Sequence, residues 1–175
     1  MKKHPSQASE REPALVPLAH GALNHCFGCG LENPSGLRLR FFTDADQNIV
    51  CRVRLASRFA GPPGHAHGGI IATLLDEAMS KVNRARGIVA MTRALDVQYL
   101  RPVPLGQPLL LTARHVSVAG RRHNIEAALT DASGHTLATA TADFVTVPPD
   151  LLHQLQSRQG GKASAGRLKS IRPPR

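Results

Sequence analysis

Aromatic residues are nearly missing from this sequence: there is no tryptophan, one tyrosine and five phenylalanines, 3% of the chain. A core built from it is therefore aliphatic, and a single-stranded nucleic-acid surface, which stacks bases on exposed rings, is disfavoured. Cysteine is scarce as well. Cys26, Cys29 and Cys51 are an odd number and too few for a disulfide framework, which fits a reducing compartment and points to the cytoplasm. No apolar run approaches the length of a bilayer span, and the N-terminus lacks the apolar stretch of a secretory signal, so no membrane partner is expected. Acidic residues are absent from Leu151 onward, where six basic side chains follow. The net charge of +10 is thus uneven: residues 1–19 contribute one positive charge and residues 20–150 only three. No specific nucleic-acid partner is expected of so mildly basic a centre.

What remains is enough for one domain. In 175 residues, 42% apolar, a core can be buried with chain to spare at both ends. Residues 1–22 read as a flexible N-terminal arm, 23–148 as the domain, and 149–175, with Gly160-Gly161 and Pro173-Pro174, as a basic disordered tail. Inside the domain the period of the apolar residues changes twice. Leu37–Phe41 and Ile49–Leu55 alternate, with the polar turn Asp44–Asn48 between them, and read as a hairpin. Ile70, Ile71, Leu74, Leu75, Ala78, Met79 and Val82 then recur at helical spacing, predicting a buried helix from about Gly68 to about Arg86, stopped near Gly87. Alternation returns in Leu95–Tyr99, and continues through Leu109–Val118, His123–Leu129 and Leu137–Val147. One apolar helix and a meander of strands must bury against each other, which predicts an α+β fold with an antiparallel sheet curled round the helix.

Chemistry concentrates where the loop Gly61-Pro62-Pro63-Gly64 runs through His67-Gly68-Gly69 into the helix. Glycines at a helix N-terminus leave backbone N–H groups uncovered at the positive end of the dipole, a receptor for a developing oxyanion. Two helical turns on, Asp76 and Glu77 interrupt the apolar run. Carboxylates there must be solvated, paired or functional. Neighbouring helical residues point about 100° apart, so both cannot serve one site. Glu77 stands four residues from Lys81, the spacing of a solvated ion pair, which leaves Asp76 for chemistry.

The ordered set Gly61-Pro62-Pro63-Gly64, His67-Gly68-Gly69, Leu74-Leu75-Asp76-Glu77-Ala78, Met91-Thr92 and Tyr99-Leu100-Arg101-Pro102 resembles the hotdog-fold thioesterase superfamily, in its PaaI-like, 4-hydroxybenzoyl-CoA-thioesterase-type branch. Cys26-Phe27-Gly28-Cys29-Gly30 with Asn33-Pro34 is similar to the lead-in of that branch, so the resemblance runs from residue 24 to 147. It implies five or six strands round one helix, a homodimer or homotetramer with sites between subunits, acyl-CoA as substrate, and no cofactor. By position, Gly69 N–H, with Gly68 beside it, would polarise the thioester carbonyl and His67 would hold that end of the site. Asp76 of a second subunit would be general base or nucleophile, and Thr92 would orient it. Gly61 stands where another branch carries an asparagine six residues before the histidine.

Around that centre, Glu77, Arg93, Arg121 and Arg122 are further candidates for substrate contacts, with Arg101; the arginines suit the phosphates of CoA. Cys26-x-x-Cys29 beside His25 has metal-ligand spacing, but no second pair follows, so a plain turn near the substrate entrance, without metal, is expected. Two other functions fit the fold. A hydratase would carry a different Asp/His arrangement, and a non-catalytic acyl-CoA sensor would need neither Asp76 nor Thr92. Small and aliphatic side chains (Leu95, Val97, Ala138, Ala140, Ala142) would admit an aryl or a medium-chain acyl group.

Overall fold

The computed structural model describes residues 14–19, 25–148 and 150–151. Expectations for the ends of the chain, including most of the basic tail, lie outside the described residues. Seven strands form one antiparallel sheet, in the order β1-β2-β3-β5-β6-β7-β4. Three long strands make its centre: β5 (Leu109–Ala119), β6 (Arg122–Asp131) and β7 (Thr136–Thr146). β3 (Ile49–Val53) flanks them on one side and β4 (Ala90–Tyr99) on the other. The strand count exceeds the expected five or six because β1 (Val16–Pro17) and β2 (Phe42–Thr43) add two-residue rungs beyond β3. Val16–Pro17 therefore belongs to the sheet rather than to a loose arm, and Leu18 N–H donates to Phe41 O at 2.9 Å.

Across the sheet lies α1 (Gly68–Ala85), ending where Gly87 takes a left-handed φ of 70°. Its stripe Ile71, Leu74, Leu75, Ala78, Met79 and Val82 is buried, and the helix packs against β5, β6, β7, β4 and β3. Burying each large side chain of that stripe contributes about 1.5–3 kcal/mol. In β7, Ala138, Ala140 and Ala142 alternate inward under the helix and are all but sealed, which lets α1 lie close.

Two expectations are corrected. Leu37–Phe41 is not a strand. Arg38 takes a φ of 52°, which breaks extended pairing, and Leu37 and Leu39 donate instead to Phe27 O and Gly28 O of the Cys26–Gly30 turn. Leu39 and Phe41 still face the core, so the alternation was a true burial signal on irregular backbone. β4 was expected to bury one face. Its register puts Leu95, Val97 and Tyr99 opposite the inward alanines of β7, yet Leu95 is 38% and Tyr99 55% exposed. β4 is the last strand of the sheet, and although α1 packs against it through Thr92–Asp76 and Tyr99–Gly68, these side chains stay part exposed.

Candidate active site

The loop that leads into α1 is pinned on both sides before any helical bond forms. Ala66 N–H donates to Val103 O and His67 N–H to Phe59 O, each at 2.9 Å. Gly61 is a steric requirement here: a Cβ on it would stand 2.9 Å from His67 Cα, so no side chain, asparagine included, fits without displacing the loop.

His67 is the N-cap of α1, with extended φ −64° and ψ 138°, and its Nδ1 accepts from Gly69 N–H at 2.9 Å. The ring is an acceptor there, which puts its proton on Nε2. This revises the assignment of the carbonyl-polarising donor. The Gly69 N–H is committed to its own cap, whereas Gly68 N–H, at the first helical position, has no intrahelical acceptor. Tyr99 holds the following peptide, Gly68–Gly69: its hydroxyl donates to Gly68 O at 3.1 Å and its ring edge stands 3.7 Å from where a Gly68 Cβ would be. Sequence reasoning passed over Tyr99. The available signal was its being the one tyrosine of an aromatic-poor chain, just before Leu100-Arg101-Pro102. Beside Gly68 opens a cavity of about 400 Å³, lined by Pro62, His65, Gly68, Tyr99, Leu100 and Arg101 among others.

The second centre lies two turns along the same helix. Thr92, exposed on β4 and on its α1 side, donates its hydroxyl to Asp76 Oδ1 at 2.8 Å. Asp76 is half-buried, and among the described residues no cation pairs with it. Glu77 is placed otherwise than expected. It does pair with Lys81, but the pair is not a solvated face: the side chains are 14% and 9% exposed. Burial alone would raise the Glu77 pKa; the Lys81 charge, with hydrogen bonds from Cys29, Lys81 and Cys26, overrides it and holds the carboxyl below its ordinary value. Lys81 is held above its ordinary value by the same pairing, against the opposing effect of burial. A carboxylate so committed is not a substrate contact, and Glu77 is withdrawn from that role.

The arginines disperse. Arg93 is the extra residue of a β-bulge beside Thr92, 3.9 Å from Asp143. Arg101 donates to Thr136 O at 2.7 Å at the Gly68 end. Arg121 caps Thr146 O at 2.9 Å in the turn after Gly120, and Arg122 lies on the outward face of β6, away from Asp76. The β7 alanines do not line the cavity beside Gly68: Ala138 and Ala140 lie under α1, and Ala142 borders a separate cavity with Leu95 and Asp143, while Leu95 and Tyr99 are the more exposed walls.

One geometric fact governs what this arrangement can do. Gly68 and Asp76 are eight residues apart on one helix, about 12 Å at 1.5 Å per residue. No single carbonyl reaches both within one chain.

Residues 63–138 match the family model of the thioesterase superfamily. Rat acyl-coenzyme A thioesterase THEM4 is 32% identical over 111 residues, covering 63% of this chain and 48% of the relative. The chain thus spans about half the length of the curated relatives it matches first. Among solved structures, the thioesterase-superfamily protein RHA08564 superposes with a TM-score of 0.68 at 34% identity, over 70% of this chain and 60% of the other. The PaaI protein of the E. coli phenylacetic acid degradation operon superposes at 0.60 with 18% identity, over 64% and 81%, and supports the fold alone.

Proposed function

We propose that this chain, a member of the thioesterase superfamily through residues 63–138 and hotdog in fold, hydrolyses acyl-CoA thioesters to the free acid and CoA. The observation that carries the reading is the Thr92–Asp76 hydrogen bond: a half-buried carboxylate with no counter-charge among the described residues, oriented by a hydroxyl from the neighbouring strand. Thr92 occupies Oδ1 and leaves Oδ2 for water. Tying down one oxygen lowers the carboxylate's nucleophilicity and fixes its direction, which suits a base better than direct attack. Asp76 takes a proton from water as the oxygen adds to the thioester carbon. The oxyanion is received by Gly68 N–H at the helix N-terminus, and collapse expels the CoA thiolate.

The donor and the base come from different copies, because about 12 Å separates them in one. A dimer through β4 supports this: it is an edge strand whose Met91, Leu95 and Tyr99 are 54%, 38% and 55% exposed, an unpaired apolar edge that a second copy would cover. In such a pair Arg93, beside Thr92, and Arg101, beside the cavity, are the basic side chains suited to CoA phosphates. The compartment we propose is the cytoplasm, on the scarcity of cysteine; no helix among the described residues is long and apolar enough to cross a membrane.

The test is release of free CoA thiol from aryl-, short- and long-chain acyl-CoAs by the purified chain, with turnover expected on at least one class. Tight binding without release from any of them would make the chain an acyl-CoA-binding protein instead. Thr92→Val is the companion measurement. It removes one hydrogen bond to a charged group, worth about 1.5–3 kcal/mol when fully expressed. Because Thr92 is exposed, the low end applies, about tenfold in kcat with KM little changed.

A further inference from the structure

The Cys26–Gly30 turn does not stand free beside the substrate entrance. It closes on α1. Gly30 N–H donates to Cys26 O at 2.9 Å, a tight turn that presents both cysteines to the helix. The Glu77 carboxylate lies in the concavity: Cys26 Sγ is 3.9 Å from Oε1 and 3.8 Å from Oε2. Gly28 makes room for it, since a Cβ there would stand 2.7 Å from the carboxylate carbon. The two sulfurs and one carboxylate oxygen all lie within 4.8 Å of one another. Cys29 is buried, as is Lys81 behind the carboxylate, while Cys26 opens to solvent.

We propose that Cys26, Cys29 and Glu77 form a zinc site that fastens the N-terminal segment to α1. The dimensions suit it. Zinc bound to sulfur at about 2.3 Å and to oxygen at about 2.1 Å gives a tetrahedral S···O edge of about 3.6 Å, and the Cys26–Glu77 separation of 3.8 Å is close to that already. The charges close as well. Two thiolates and a carboxylate are balanced by a divalent cation and the Lys81 ammonium, so the buried site is neutral with zinc, as the protonated thiols and the Glu77–Lys81 pair are without it. Binding releases the two thiol protons to solvent. Lys81 bonds Oε1, which orients the carboxylate and directs Oε2 at the metal, the work of an outer-shell partner. His25 faces Glu32, 3.7 Å away, so the fourth position falls to water at the solvent-facing side of Cys26. Cys51 takes no part. It is sealed in the core and burial pushes its thiol up to about 12, so it neither ligates nor confounds the measurement.

The experiment uses the full chain, purified without chelators or immobilised metal and reduced, then assayed for bound metal and titrated with Zn²⁺ and with Co²⁺ as a spectroscopic substitute. About one zinc per chain is expected, with Co²⁺ giving thiolate charge-transfer absorption and tetrahedral bands. Cys26→Ser alters an exposed side chain and should fold normally by circular dichroism while losing both signals. Cys29→Ser should lose them too. Wild type that holds no more zinc than these variants, or Co²⁺ spectra of the hexa-aqua ion alone, overturns the site. The readouts are metal content and absorption, so a zinc-free but active chain would sink this proposal and leave the hydrolase reading intact.

Discussion

Asp76→Asn is expected to leave the protein folded and to lower acyl-CoA hydrolysis by at least about 100-fold. The substitution is isosteric, and the amide oxygen still accepts from Thr92, so the β4–α1 contact survives. What disappears is the group proposed to take a proton from water. A positioned general base typically supplies about 10² to 10⁴ in rate, and no neighbour can take over. Glu77 points about 100° away round the helix and is held by Lys81 and the Cys26–Cys29 turn. The check is kcat and kcat/KM on the best substrate of the panel, alongside a denaturation curve. Wild-type turnover in a folded Asp76→Asn chain would remove Asp76 from the mechanism.

Lys81→Met is expected to cost about 3–5 kcal/mol of folding stability, because removing one partner leaves a buried, uncompensated charge. Methionine replaces the aliphatic stem of Lys81, which isolates the charge from the packing. The deficit holds whether or not the cysteine turn carries a cation, since either form of the site is left with one net negative charge. Denaturant titration measures it, and Glu77→Gln/Lys81→Met should lose less than Lys81→Met alone.

The pH dependence has a definite sign. Glu77 is held below its ordinary value in the native chain, so its contribution is present above that ordinary value and is lost as pH falls through the depressed one. Lys81 is held above its ordinary value, so its contribution is present below that value and is lost as pH rises through the elevated one. Wild type draws on both between those limits. In Lys81→Met the buried carboxyl no longer has its cation and burial acts on it unopposed by that charge, so the deficit should shrink as pH falls and the carboxyl takes up a proton. A deficit that does not change with pH would show that the charge of Glu77 is not its cause.

What the sequence made legible was whatever a local period or a helical angle determines. The span of α1 follows from seven apolar residues at helical spacing, and the meander β5–β7 from alternation. That Asp76 and Glu77 meet different surroundings needed only the rotation between neighbours and a lysine four residues on. Less legible was anything set by side chains meeting across the fold. The approach of Glu77 to Cys26 joins residues 51 apart, so counting ligands along the chain misses it. His67 taking the Gly69 N–H is a matter of rotamer, not of spacing. The face of β4 looked like a buried one because Leu95, Val97 and Tyr99 alternate correctly, yet Leu95 and Tyr99 are exposed among the described residues. The irregular path of Leu37–Phe41 turns on one dihedral, that of Arg38.

Gly68 and Asp76 share one rigid rod. In the proposed symmetric pair, sliding that rod along its axis would carry the proposed donor of one site and the proposed base of the other the same way, so each site would lose register from both ends at once. Tolerance to drift in α1 should accordingly be narrower than the burial of any one of its residues implies, and compensation has to arise where the rod is seated: in the β7 alanines beneath it and in the Cys26–Gly30 turn against its side.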